Sequence, residues 1–187
     1  MTGRLVLIVG PSGSGKDTLL AGAAGALGDN PHFVFARRTV TREAAFEDHD
    51  TATVADFLAR RAAGEFALFW EAHGLHYGIP HSAIGALTAG HIVVANVSRS
   101  VVRDAAERYP VSVIEITAPE AVRAARLADR RRESSAAIDA RLARDMGMEG
   151  ITPHRIVNDG TIAEGVAALA RQFTALAAEA LPELMRH

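Results

Sequence analysis

Apolar residues along this chain fall into two alternating rhythms. Short continuous runs rich in β-branched residues occur at Leu5-Val6-Leu7-Ile8-Val9, Phe33-Val34-Phe35, His91-Ile92-Val93-Val94-Ala95-Asn96, Val111-Ser112-Val113-Ile114-Glu115-Ile116 and Arg155-Ile156-Val157. Such runs read as strands buried on both faces, the habit of a parallel sheet. Apolar positions recur at helical spacing over residues 17–27, 99–108, 119–131, 134–147 and 161–180. In the first of these, Leu19, Leu20, Ala23, Ala24 and Leu27 carry the rhythm. Pro119 suits a first helical turn, and Asn158-Asp159-Gly160 is a turn signal ahead of the last helix. Strand and helix in alternation predict an α/β fold, with helices on both faces of a mostly parallel sheet and right-handed crossovers. Ligands then belong at the carboxyl ends of the strands.

Two stretches break the alternation. Residues 37–80 hold a helical pattern over 53–63, then Phe66-Ala67-Leu68-Phe69-Trp70, then a polar turn before Tyr77-Gly78-Ile79-Pro80. That is far longer than the ~4–6 residues of an ordinary connection, so it predicts a small inserted subdomain. Residues 126–144 concentrate Arg126, Arg130, Arg131, Arg132, Arg141 and Arg144 around Glu133-Ser134-Ser135, a pattern of helix, short break and helix. Phe66, Phe69 and Trp70 read as packing residues. The three histidines His73, His76 and His81 match no ligand spacing with a defensible coordination geometry.

The chemistry concentrates after the first strand. Gly10-Pro11-Ser12-Gly13-Ser14-Gly15-Lys16 is a phosphate-binding loop between a strand and a helix, and Lys16 is the single lysine among 20 Lys+Arg residues. Backbone N–H groups of such a loop wrap a polyphosphate, the helix N-terminus adds partial positive charge, and a compact ammonium reaches the β and γ phosphates. An ATP site follows, with Mg²⁺ as its partner cation. Where P-loops ordinarily carry a hydroxyl residue after the lysine, this chain has Asp17, with Thr18 one place later. Either can serve a hard cation; Asp17 can take the metal directly, hold it through a water, or simply favour the first helical turn by its charge.

Length and composition bound the rest. With 187 residues, 49% of them hydrophobic and 22% charged, the chain suits one domain, its core over 1–36 and 81–187, its insert over about 37–80 and its lid over about 126–144. A net charge of -2 points to no general nucleic-acid or membrane partner, and the absence of cysteine excludes disulfides and thiolate metal sites. No separate leader precedes the first strand and no apolar stretch approaches ~18 residues, so a cytoplasmic protein is expected. Its oligomeric state stays open.

Arginine supplies nearly all the positive charge, and a guanidinium fork binds phosphate oxygens two at a time. Arg37-Arg38-Thr39-Val40-Thr41-Arg42 follows the second strand, at the ligand-bearing edge of the sheet, where it would hold an anionic acceptor opposite the P-loop. Arg130 and Arg141 would close over the transferring group as a lid, neutralising charge and excluding water.

The P-loop, the Arg37–Arg42 segment, Gly74-Leu75-His76-Tyr77-Gly78 and the arginine lid together resemble the guanylate kinase family of P-loop kinases over most of the chain. The resemblance implies a P-loop NTPase three-layer sandwich whose insert binds the acceptor, with Arg42 and Tyr77 on its phosphate. The chain departs from that family in three places. Leu68 stands where its guanine-reading glutamate would be, Val94-Ala95-Asn96 replaces an acidic strand end, and His49 replaces a tyrosine. An apolar side chain accepts no hydrogen bond from a guanine edge, and a site loses orders of magnitude in specificity without such bonds.

With Asp17, Glu47-Asp48-His49, the run from Phe66 to Pro80, Asn96-Val97-Ser98-Arg99 and Ala140-Arg141-Leu142-Ala143-Arg144, the chain is similar nearly end to end to the ribose 1,5-bisphosphate phosphokinases of phosphonate catabolism. That similarity implies transfer of the γ-phosphoryl of ATP to the 1-phosphate of a sugar bisphosphate, yielding a phosphoribosyl diphosphate for NAD and nucleotide synthesis. The residues suit a small-molecule sugar phosphate with two phosphates and no base. Arg38, Arg42 and Arg99 can grip anions, and Asp48, His49 and Asn96 can bond ribose hydroxyls. The nucleophile is a phosphate oxygen, largely ionised at neutral pH with a second pKa of ~6, so no general base is needed. A nucleoside monophosphate kinase of altered base preference is the alternative, and a non-catalytic guanylate-kinase-like binding module a more distant one.

Overall fold

The structure, a computed structural model, describes residues 3–42, 49–129 and 148–180. The expected site residues Asp48, Arg130 and Arg141, the helix expected over 134–147 and most of the lid lie outside the described residues. In chain order the strands are β1 (Arg4–Val9), β2 (Phe33–Phe35), β3 (Thr39–Val40), β4 (Asp50–Thr51), β5 (Phe66–Ala72), β6 (Leu75–Pro80), β7 (Ile92–Asn96), β8 (Val111–Thr117) and β9 (His154–Val157). The helices are α1 (Lys16–Leu27), α2 (Val54–Ala62), the single-turn α3 (His81–Ile84), α4 (Val102–Arg108), α5 (Glu120–Asp129) and α6 (Ile162–Ala180).

All five apolar runs become strands of one sheet, in the order β2-β7-β1-β8-β9, and every neighbouring pair is parallel. The most continuously apolar run, β1, takes the centre. Alternation of side chains along a strand sends Val6 and Ile8 to one face, where they meet Leu19 of α1 and Leu169 and Phe173 of α6. Leu5, Leu7 and Val9 go to the other face, where they join Val102 of α4 and Leu68, Trp70, Tyr77 and Ile79 of the insert. Each such side chain contributes roughly 1.5–3 kcal/mol by leaving water. One core thus binds the insert to the parallel sheet.

The insert is a second sheet, ordered β4-β3-β6-β5. Its hairpin turns on His73 (φ 53°) and Gly74 (φ 69°), two successive left-handed residues that suit a type I′ turn between β5 and β6. Thr53 caps α2 by accepting from the Asp56 amide, and α2 lays Phe57 against Phe66, ring centroids 4.5 Å apart. The histidine cluster is divided among these tasks: His73 in the turn, His76 stacked on Phe57, and His81 opening α3.

Several expectations need correction. Phe69 does not pack inward with its neighbours; period-two alternation turns it outward, 41% exposed, with the Arg61 guanidinium 4.3 Å from its ring centroid. The helix expected from residue 99 begins as a 3-10 turn over Arg99–Val101, because the Ser98 hydroxyl accepts from the Ser100 amide and tightens the start. His91 is excluded from its strand, its amide donating to the Ala86 carbonyl. The helical turns between β6 and β7 and the two-residue strands β3 and β4 were too short to leave a periodic signature.

Candidate active site

The loop between β1 and α1 is shaped by its glycines. Gly10, Gly13 and Gly15 have φ of 148°, 79° and 87°, conformations that side-chain-bearing residues rarely adopt. A Cβ at Gly10 would strike the Ile116 carbonyl, and one at Gly15 would lie 2.5 Å from Asn158 Nδ2. Gly15 caps α1 without any side-chain hydrogen bond, which leaves the first amides of the helix for an anion. Lys16 closes the mouth of the loop, its Nζ donating to the carbonyls of Gly10 (2.7 Å) and Pro11 (3.1 Å).

Asn158, legible in sequence only as part of a turn, braces this loop. It follows β9 at the carboxyl edge of the sheet, its amide donates to the Thr117 carbonyl at 2.7 Å, and its buried Nδ2 donates to the Ser14 carbonyl at 2.8 Å. Arg126 of α5 is a second residue the sequence did not single out from its cluster. Its Nη1 is buried without a hydrogen-bond partner among the described residues, 3.6 Å from the place a Gly15 Cβ would occupy. A buried guanidinium nitrogen without an acceptor, set against a phosphate-binding loop, is suited to an anion. Ser14 Oγ is likewise buried and unpartnered among the described residues.

Beside the loop, Asp17, Arg38 and Asn96 meet on one atom. Asp17 Oδ1 accepts from Arg38 Nη2 at 3.0 Å and from Asn96 Nδ2 at 2.7 Å. Arg38 lies 5.8 Å from the Tyr77 ring centroid, and Tyr77 stacks on Trp70 at 5.3 Å with the rings 4° from parallel. Thr18, half-buried, follows Asp17 in the first turn of α1. His49 is buried, with Nε2 3.3 Å from the Arg42 carbonyl, and its own carbonyl accepts from Arg37 Nη2 at 3.2 Å. Leu68 is 1% exposed, packed within the core that joins the insert to the parallel sheet.

Arg99 stands apart from this group. Its Nη2 donates to Glu115 Oε1 at 2.6 Å, while Arg155 Nε donates to Glu115 Oε2 at 2.9 Å. Burial works to raise the Glu115 carboxyl pKa, but the hydrogen bonds and charges of Arg155 and Arg99 together outweigh it and hold the carboxyl below its ordinary value. Arg99 is thus neutralised by a carboxylate as the structure stands.

No protein-family model matches the chain. It is 56% identical over 144 residues to the ribose 1,5-bisphosphate phosphokinase of Acidiphilium cryptum, across 76% of this chain and 77% of that protein. It is 47% identical over 177 residues to the protein of the same name from Methylobacterium radiotolerans, across 94% of this chain and 99% of that one. A bifunctional ribose 1,5-bisphosphokinase-thymidine phosphorylase of Azorhizobium caulinodans is 46% identical over 184 residues, 94% of this chain and 27% of the longer protein. Among solved structures, guanylate kinase from Anaplasma phagocytophilum superposes with a TM-score of 0.65 at 19% identity, covering 93% of this chain and 86% of that one. At that identity the likeness is one of fold.

Proposed function

The chain belongs to the ribose 1,5-bisphosphate phosphokinase family, and on that premise we propose that it transfers the γ-phosphoryl group of ATP to the 1-phosphate of ribose 1,5-bisphosphate. The products are ADP and 5-phospho-α-D-ribose 1-diphosphate, a reaction set in phosphonate catabolism, in the cytoplasm. The observation that carries the reading is a glycine-built phosphate loop whose neighbour Asp17 gathers Arg38 and Asn96; the resemblance to guanylate kinases puts the apolar Leu68 where those enzymes carry a guanine-reading glutamate.

In this reading the loop amides and Arg126 hold the ATP phosphates. Lys16 exchanges the carbonyls of Gly10 and Pro11 for phosphate oxygens, an exchange of neutral acceptors for charged ones. Arg130 and Arg141 close from the lid. Arg42 and Tyr77 meet the accepting phosphate; Arg38 and Arg99 offer guanidinium N–H groups to the sugar phosphates, Arg99 from its ion pair with Glu115. Asp48, His49 and Asn96 bond the ribose hydroxyls. Among the described residues no three His, Cys, Asp or Glu side chains cluster around a cation. A nucleotide-bound Mg²⁺ needs only one or two protein groups beside phosphates and water, so Asp17 and Thr18 fit it. When bound, it supplies charge neutralisation on the β and γ oxygens. The attacking group is already an anionic oxygen, so catalysis reduces to alignment and neutralisation.

The test is incubation with ATP, Mg²⁺ and either ribose 1,5-bisphosphate or GMP, following ADP and phosphoribosyl diphosphate. Product from the sugar bisphosphate alone is expected. Turnover of GMP without the sugar would reverse the reading, and inertness toward every acceptor would favour a binding module.

A further inference from the structure

Three chain segments converge on a single oxygen beside the phosphate loop. Asp17 comes from the first turn of α1, Arg38 from the stretch leading into the insert, and Asn96 from the end of β7. Both donors share Oδ1. The hydroxyl that P-loops ordinarily carry here can accept hydrogen bonds but has no charge to balance a guanidinium. The Arg38 side chain is 14% exposed and that of Asp17 39%, so the pair is shielded enough to be oriented and open enough to be reached by a ligand. Arg38 is confined on another side by the Tyr77 ring, itself flat against Trp70. Asn96 is confined as well. With its Nδ2 donating to Asp17, its Oδ1 is left as an acceptor, the polarity required by a sugar hydroxyl.

We propose that Asp17 is a positioning residue for the acceptor subsite, holding the Arg38 guanidinium and the Asn96 amide in the poses that meet the phosphate and hydroxyls of the sugar. This rests on the ribose bisphosphate reading and adds to it a role for Asp17 independent of any cation. Two flexible side chains are ordered before the substrate arrives, so less ordering remains to oppose binding.

The experiment compares wild type with Asp17→Asn, Asp17→Ser, Arg38→Ala and the Asp17→Ser/Arg38→Ala double variant, all as full chains. Initial rates are measured against ribose 1,5-bisphosphate at saturating ATP and Mg²⁺ and against Mg²⁺ at saturating ATP and sugar, with melting temperatures to confirm folding. A rise of about 10-fold in acceptor KM is expected in both Asp17 variants, on the scale of one charge-assisted bond. Arg38→Ala should then raise KM markedly less in the Asp17→Ser background than in wild type, the non-additivity that marks action through Arg38. If acceptor KM stays put and only the Mg²⁺ requirement moves, or if the two penalties add in full, Asp17 serves the cation or the helix alone and the proposal fails. A wild type active on the sugar with such a result sinks this inference only. A wild type that uses GMP sinks the parent reading, and the same KM comparison is then made with GMP. An inert wild type removes both.

Discussion

On the β1 side of the candidate site the groups suited to a ligand belong mostly to the main chain; on the insert side they are mostly side chains. Three glycines at positive φ and the uncapped amides of α1 shape the nucleotide loop, with Lys16 and Arg126 laid against it. The half assigned to the acceptor relies on side chains: Asp17 holds Arg38 and Asn96, Arg38 lies beside the Tyr77 ring, and the His49 ring meets the Arg42 carbonyl. Main-chain amides recognise a polyphosphate whatever else it carries, so the nucleotide half suits a ligand common to many enzymes. Side chains can be exchanged one at a time without reshaping the backbone, so the acceptor half is where a family can change substrate.

That contrast can be broken by experiment. Lys16→Ala has the largest expected effect, a fall in kcat of at least 2 to 3 orders of magnitude, the scale of one lost transition-state contact; near-normal turnover would mean the phosphates lie elsewhere. Next comes Glu115, whose ion pair with Arg99 leaves each side chain 10% exposed. Glu115→Ala strands that guanidinium and should cost about 3 kcal/mol, read from denaturant midpoints. Because its pKa is lowered on folding, Glu115 contributes stability that is full above the unfolded value of 4.5 and disappears as pH falls through the folded one. Melting temperature should therefore drop below pH ~4.5 less steeply in Glu115→Gln than in wild type; parallel curves would remove this linkage.

Asn158→Ala sharpens the comparison further. It leaves the Ser14 carbonyl unbonded, which should cost roughly 1–3 kcal/mol and raise the KM for ATP while sparing that for the sugar. A matching rise in acceptor KM would show that the two halves are not separately held. The smallest effect is expected from Phe69→Ala, on the outer face of the insert, within about 0.5 kcal/mol by thermal melting. A larger loss would mean that this face is covered.

Much of the nucleotide half was legible along the chain, since a strand, a glycine loop and a helix are neighbours in sequence and each leaves a local pattern. The parallel sheet was legible for the same reason, whereas Leu68 bears on the acceptor only through the resemblance to guanylate kinases. Where patterns were short or shared, the reading ran out. Phe69 followed its neighbours on paper and faces outward in space, and Arg99 was one arginine among many until Glu115 was seen to hold it.

What the amino-acid order determined by itself was therefore the fold class, the phosphate loop and the kinds of group available for an acceptor. The tertiary structure alone decided which of them meet: Asp17 with Arg38 and Asn96, 21 and 79 positions away, and Asn158 with Ser14 across 144. Periodicity reports the backbone's nearest neighbours, whereas these contacts arise from the order in which strands cross the sheet, and no local pattern carries that order.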